Sequence, residues 1–397
     1  MTDINYDESK VPQYNLPNPL ALDDGRIIQD VNEWESYQRP RLLNIFENEI
    51  YGQAPPLPQS IASATLLAED TVFDGLAIRK QLSVPLLDQK SSPTMTIMLY
   101  LPTDVIQPVD IFLGLNFNGN HSIETDERIL ISQGWSAHND LADVTRGTSS
   151  SRWSLERILS RGYGVATIYH GDISTDLREG YGNNIFSYFY HDGQTQPESY
   201  QWGAISAWAW GLRRAMDYLY EHESSAKRIL LIGHSRLGKA ALWASAQDER
   251  CALVISNNSG CMGAALSRRA FGETVKQMNT NWSRWVCTDF HQYSDKESDL
   301  PVDQHTLISL IAPRPVYIAS AEDDLWADPY GEFLGGYHAN PVYHLYGKQG
   351  LPTDEQPAIH QPIMGTIGYH IRAGKHDVTD YDWQCYLDFA DHHLLNQ

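Results

Sequence analysis

The rhythm of apolar and polar positions changes twice along this chain. Residues 1–60 read as a polar arm, interrupted by a helical stretch around Arg41–Tyr51 and a proline-rich exit at Pro55–Pro58. Strand-like runs follow at Gly75–Val84, Thr94–Leu101 and Val109–Asn116. With little helical signal between them, they predict antiparallel strands leading into a sheet.

Beyond Tyr163 the pattern becomes one of alternation. Tyr163–His170 is a short apolar run, and Ile205, Trp208, Leu212, Met216 and Leu219 recur at helical spacing across Ala204–Tyr220. Arg228–Gly233 predicts a buried strand and Lys239–Gln247 a helix. Ala252–Ser256 and Pro315–Ala321 predict further strands, and Thr379–Leu395 a closing amphipathic helix. Short strands alternating with helices of this size predict an α/β fold, a mostly parallel central sheet with helices on both faces. In such sheets functional groups gather at the carboxyl ends of the strands. The sequence shows no internal repeat, low-complexity tract or long linker. The expectation is one domain over 1–397, with residues 1–60 as an arm and loop insertions between about 122 and 200.

Charge narrows the function classes. The 397 residues carry 29 Lys and Arg against 50 Asp and Glu, a net charge of −21. That balance repels phosphate backbones and anionic bilayers, so neither nucleic acid nor a membrane surface is an expected partner. No apolar run approaches the roughly 18 residues of a membrane helix. Met1–Leu20 is polar and acidic, so no secretory signal is read there. Four cysteines, Cys251, Cys261, Cys287 and Cys385, are too few for a disulfide framework and lack CxxC spacing. Cys251 reads as a core residue, and one or two bridges stay open.

The richest stretch is Arg228-Ile-Leu-Leu-Ile-Gly-His-Ser-Arg-Leu-Gly-Lys239. Gly233 to Lys239 fits GxxxxGK, but Ala240 stands where a phosphate-binding loop needs a hydroxyl for magnesium. The competing reading makes Ser235 a nucleophile on a sharp strand-to-helix elbow. The usual GxSxG is broken, since Leu237 takes the last glycine position and Gly238 follows. A plain N-cap serine is the bland alternative. Chain order favours the nucleophile. An elbow serine needs a carboxylate and then a histidine downstream. The strand at Pro315–Ala321 ends in Glu322-Asp-Asp-Leu-Trp-Ala-Asp328, and Gly374-Lys-His376 lies in a loop before the last helix.

These residues resemble a known family, the glucuronoyl esterases of carbohydrate esterase family 15, bacterial members in particular. The likeness rests on Ser235-Arg-Leu-Gly-Lys239, Ser259–Arg269, Gly272–Val275, Leu300–His305, Ile311–Tyr317, Trp326–Pro329 and Gly368–Arg372. It implies an α/β-hydrolase fold with Ser235 as nucleophile, His376 as general base and Arg236 on the oxyanion. Lys239, Glu273 and Trp326 match positions that contact the sugar. Fungal members carry a glutamate where Asn258 stands, so the acid role falls to Asp324, with Asp323 and Asp328 as near alternatives. His234 replaces a fungal cysteine, so that bridge must be absent. The resemblance also implies a secreted or periplasmic enzyme, a glucuronoxylan or lignin–carbohydrate ester substrate, no cofactor and a monomer.

Bland readings stand beside these. Arg236 could be a buried ion-pair partner, Lys239 and Glu273 ordinary surface charges, and Trp326 mere packing. Trp208 and Trp210 fit a core better than a sugar platform. Asn116-Phe-Asn-Gly-Asn-His121 lies where hydrolases keep an oxyanion loop, or is a simple turn. His121, His138, His170 and the pair His392-His393 show no spaced ligand set, so no metal site is expected. The expected activity is serine-type hydrolysis of (4-O-methyl-)glucuronic acid esters. A general carboxylesterase or acetyl-xylan esterase, or a non-catalytic carbohydrate binder, are the alternatives.

Overall fold

A computed structural model describes residues 4–59, 64–89, 91–106, 108–132, 144–176 and 184–395. His138 and parts of the expected insertions, 133–143 and 177–183, lie outside the described residues. The strands are β1 (Thr65–Val72), β2 (Ala77–Pro85), β3 (Thr94–Pro102), β4 (Val109–Asn116), β5 (Gly164–Tyr169), β6 (Ala226–His234), β7 (Cys251–Asn257), β8 (Val316–Ala321), β9 (Ile363–Met364) and β10 (Ile367–Arg372). The helices needed below are α1 (Arg39–Glu49), α2 (Leu155–Ser160), α3 (Ala204–His222), α4 (Arg236–Gln247), α5 (Pro329–His338) and α6 (Asp380–Leu394).

All ten strands join one sheet in the order β1-β2-β3-β5-β4-β6-β7-β8-β10-β9. Strands β1, β2, β3 and β5 pair antiparallel, the pairs of β5-β4-β6-β7-β8-β10 are parallel, and the edge strand β9 is antiparallel to β10. This is the α/β-hydrolase arrangement read from the sequence. Period-two alternation sorts the strand residues onto two cores. Ile229 and Leu231 face a cluster with α1, α3 and α4, while Leu230 and Ile232 face one with α2 and α6. Trp208 and Trp210 are wholly buried, as expected of core residues.

The N-terminal segment departs from its reading as a polar arm. Trp34, Phe46, Ile50 and Tyr51 are buried, and the Tyr51 ring lies 4.9 Å from that of Trp243 on α4. Helix α1 shows a weak apolar stripe because Leu42 and Phe46 are its only fully buried apolar residues, with Arg39 buried beside them. The four cysteines are all free and buried. Burial pushes their thiols up.

The final strand and helix are locked by one buried carboxylate. Asp382 on α6 contacts His370 Nε2 at 2.9 Å and accepts Arg372 Nε at 2.7 Å. It also accepts the Thr379 N–H and hydroxyl, each at 2.7 Å, in a capping box. The rest of the Arg372 guanidinium donates to the carbonyls of Ala373, Lys375 and Asp377 at 3.1, 3.0 and 2.6 Å. A single arginine thus wraps the loop around His376. Burial works against the Asp382 charge, but His370, Arg372 and Thr379 outweigh it and hold the carboxyl below its ordinary value. The stabilisation is therefore present above the ordinary carboxylate value and is lost as pH falls below it. Asp382→Ala leaves Arg372 buried and unpaired, and urea unfolding at pH 7 should show a loss of about 3–5 kcal/mol.

Candidate active site

Strand β6 ends at His234 and α4 begins at Arg236, leaving Ser235 to make the turn alone. Its backbone sits at φ 56° and ψ −132°, a conformation that L-residues rarely adopt. Two glycines make it possible. A Cβ on Gly233 would lie 2.1 Å from the Leu237 carbonyl oxygen, and one on Gly238 would lie 3.0 Å from the Ser259 Cβ. The motif works with Gly238 one place late because the close approaches fall at 233 and 238. The hydroxyl-bearing turn then opens a cleft of about 300 Å³. The cleft gathers Ser235, Arg236, Lys239, Glu273, Trp326, Asp324 and His376. These are the seven residues given roles from the sequence; the alternatives Asp323 and Asp328 and the Asn116–His121 segment do not line it.

Beside Ser235 stands a histidine–carboxylate pair. His376 Nδ1 lies 2.6 Å from Asp324 Oδ2. Of the three candidate carboxylates only Asp324 makes this contact among the described residues. Asp328 instead caps α5 through the Gly331 N–H and pairs with Arg269 at 2.8 Å, and Asp323 is exposed. Asp324 is buried and accepts a second hydrogen bond, from Asn258 Nδ2 at 2.8 Å.

On the other side are two cations, Arg236 half-buried and Lys239 buried. Arg236 Nε lies 2.6 Å from Asp176 Oδ2, and its guanidinium sits 4.6 Å above the Phe117 ring. The ion-pair reading and the site reading therefore both describe Arg236, since it lines the cleft as well. Burial lowers its pKa, with Asp176 opposing the shift. Asp176 also accepts the Trp285 indole N–H at 2.7 Å. Lys239 is almost fully buried, not a surface charge. Its ammonium donates to the Ser259 carbonyl at 2.8 Å, to the Cys261 carbonyl, and to Glu273 Oε2 at 3.1 Å. Glu273 is buried too, so the reading of these two as ordinary exposed charges fails.

Sequence reasoning missed Asp176, Phe117 as a guanidinium platform, and the stacked pair Trp282–Trp285, whose centroids lie 4.7 Å apart at the cleft wall. Nothing in the spacing of these residues points to α4. The Asn116–His121 segment is tied down by Asn116 Nδ2, which donates to Asn120 Oδ1 at 2.7 Å and Thr167 Oγ1 at 2.9 Å. His170 is buried beneath it and is pushed down to about 3, by burial first and then by Arg236.

A family model described as glucuronyl esterase of fungi matches residues 154–347. A relative called carbohydrate esterase MZ0003, from an unknown prokaryotic organism, is 46% identical over 98% of this chain and 92% of its own length. A solved structure described as a promiscuous esterase of carbohydrate esterase family 15, from a marine bacterial metagenome, shares 46% identity over 99% of this chain and 100% of that one, with a TM-score of 0.90. The chain belongs to that family. Another solved structure, a glucuronoyl esterase from Solibacter usitatus, shares 43% identity over 97% of this chain and 100% of that one, with a TM-score of 0.92.

The two departures from the fungal family pattern acquire physical roles here. Asn258, which cannot ionise, orients Asp324 as a donor instead. His234 packs its ring 4.4 Å from that of His376, and its Nδ1 lies 2.6 Å from Asn257 Oδ1. Burial keeps His234 neutral, pushing its pKa well down, and the His376 charge adds to the shift. Asn257 Nδ2 donates to the Tyr386 hydroxyl at 2.8 Å. The amide oxygen therefore faces His234, and the Nδ1 of that ring carries the proton.

Lys239→Ala would strand the Glu273 carboxylate in the buried wall. We expect a stability loss of about 3–5 kcal/mol by urea unfolding. Lys239→Met with Glu273→Gln should recover most of it. An unchanged midpoint in the single variant would mean the pair is solvated in the working protein.

Proposed function

We propose that this chain hydrolyses esters of glucuronic and 4-O-methyl-glucuronic acid, such as those linking glucuronoxylan to lignin alcohols, through an acyl-enzyme on Ser235. The observation that carries the reading is the cleft itself. A strained serine elbow opens between a His376–Asp324 pair and a sealed Lys239–Glu273 pair. The first pair suits acyl transfer and the second suits a hydroxyl-rich ring. The Solibacter usitatus neighbour, named a glucuronoyl esterase, supports the same substrate class.

In this mechanism the Ser235 oxygen attacks the ester carbonyl while His376 takes its proton. Asp324 on Nδ1 fixes the tautomer that leaves Nε2 free, and stabilises the imidazolium that forms. Negative charge collects on the carbonyl oxygen. Arg236, beside the N–H groups at the start of α4, stabilises that oxyanion more than the neutral ester, so it lowers the barrier. Collapse of the tetrahedral intermediate breaks the bond to the alcohol, which leaves with the proton from His376. Water, deprotonated by the same histidine, then attacks the acyl carbon and restores Ser235. Glu273 and Trp326 hold the uronate ring, and Lys239 holds Glu273 and the wall around it. All these groups come from one chain, so a monomer suffices. A polymeric substrate places the work outside the cytoplasm.

The test is hydrolysis of benzyl glucuronate beside 4-nitrophenyl acetate, with the native chain and Ser235→Ala. Uronate turnover should dominate, and in the variant kcat should fall by at least about 10⁴-fold. Acetate turnover alone would make the protein a general carboxylesterase or acetyl-xylan esterase. Uronate binding with no turnover of either ester would make it a carbohydrate-binding protein. Arg236→Ala should lower kcat on the uronate by about 10²–10³-fold, the scale of losing one oxyanion donor.

A further inference from the structure

One buried carboxyl next to the site has no place in the mechanism above. Glu332 on α5 is fully buried, and its nearest polar partners are neutral. Its Oε1 accepts the Gly260 N–H at 3.0 Å and the Ser259 hydroxyl at 3.3 Å. Its Oε2 lies 2.7 Å from the Ser320 hydroxyl oxygen, which accepts the carboxyl proton when Glu332 is neutral and donates when it is ionised. The side chain therefore ties the turn after β7 to the end of β8. That turn begins at Asn258, whose amide holds Asp324, and its Ser259 and Cys261 carbonyls hold Lys239. The end of β8 leads three residues on to Asp324 itself. Both halves of the cleft hang from the same clamp.

We propose that Glu332 is a positioning residue for the reaction, clamping the Ser259–Gly260 turn to β8 so that Asn258 stays on Asp324 and Asp324 on His376. The inference rests on the hydrolase reading of Ser235 and His376. Glu332 clamps in its protonated form at neutral pH, since burial pushes its carboxyl up to about 8 and the Asp324 charge adds to the shift. Among the described residues, the groups facing it leave no spare cation. From β8 and its turn come Ser320 and Asp324, from the β7 turn Ser259 and Gly260, and from β10 Tyr369. On its own helix stands Asp328, already paired with Arg269, which is held by Glu8 as well. Lys239 is committed to Glu273. Once Glu332 ionises, the donors from Gly260, Ser259 and Ser320 offset only part of the cost of its buried charge, so water is drawn in or the turn shifts, either of which loosens Asn258 from Asp324. Because the folded chain keeps this proton longer than an unfolded one, stability also falls as pH rises from the ordinary glutamate value to about 8.

The experiment compares Glu332→Gln and Glu332→Ala with the native chain on benzyl glucuronate across pH 6–10, with Ser235→Ala as control. Glutamine keeps the shape and an acceptor for Gly260, so kcat at pH 7 should stay within about threefold of native. Alanine should lower it at least about tenfold. The native kcat should decline through an inflection near pH 8, and that inflection should be absent from the Gln variant. A purely structural role would lower the melting temperature without moving the pH profile. The proposal is overturned if the Gln variant keeps the native alkaline inflection, or if a folded Ala variant keeps native kcat at pH 7. Should the Ala variant fail to fold, the Gln profile alone decides. Activity surviving in Ser235→Ala would instead sink the hydrolase reading, whatever Glu332 does.

Discussion

The contact between Asp382 and Arg372 governs the geometry of the cleft more than any residue inside it. His376 rides on an exposed loop with little packing of its own. It is held because Arg372, anchored by a buried carboxylate, donates to three carbonyls around it. The same carboxylate receives His370 and caps α6, so the last strand, the last helix and the histidine loop are ordered together. An arginine suits this post because its planar fork can satisfy a carboxylate and several carbonyls at once, which a lysine cannot. The histidine loop joins the β8 turn through backbone bonds, the Glu322 N–H to the Arg372 carbonyl at 2.8 Å and the Asp323 N–H to the Gly374 carbonyl at 3.0 Å. The carboxylate and the histidine therefore arrive as one piece.

Much of this was legible in the chain. The strand–turn–helix around Ser235 stood out because local rules dominate there: a buried apolar strand, glycines where the backbone must approach closely, then helix formers. The order of Ser235, Asp324 and His376 followed from the fold class. The arm was misread because α1 spreads its few apolar residues over a mostly polar helix, and its burial depends on Trp243, far along the chain. Lys239 and Glu273 were expected to contact the sugar, but their bond to each other was not legible, because pairing across 34 residues leaves no periodic trace. Strand β1 was missed because it is an edge strand with a largely exposed, mixed face. Asp176 and Glu332 act only through three-dimensional contact, and neither belongs to a recognisable local motif.

The treatment of charge is consistent throughout the cleft. Each cation near Ser235 arrives with a carboxylate already in place, Arg236 with Asp176 and Lys239 with Glu273. Burying a lone charge is costly, and pairing makes the cost tolerable while keeping the groups oriented. The polar wall is thus built before any substrate enters.

That pairing also bears on how the reaction ends. An ester brings no charge into the cleft, but the uronic acid it yields is an anion. On the proposed reading it is released among the Arg236–Asp176 and Lys239–Glu273 pairs on one side and the Asp324–His376 pair on the other, where carboxylates outnumber the arginine and lysine. The wall that accommodates a neutral ester is a poor host for the acid made from it. On the proposed reading of the site, the ion pairs that shape it also favour departure of the charged product.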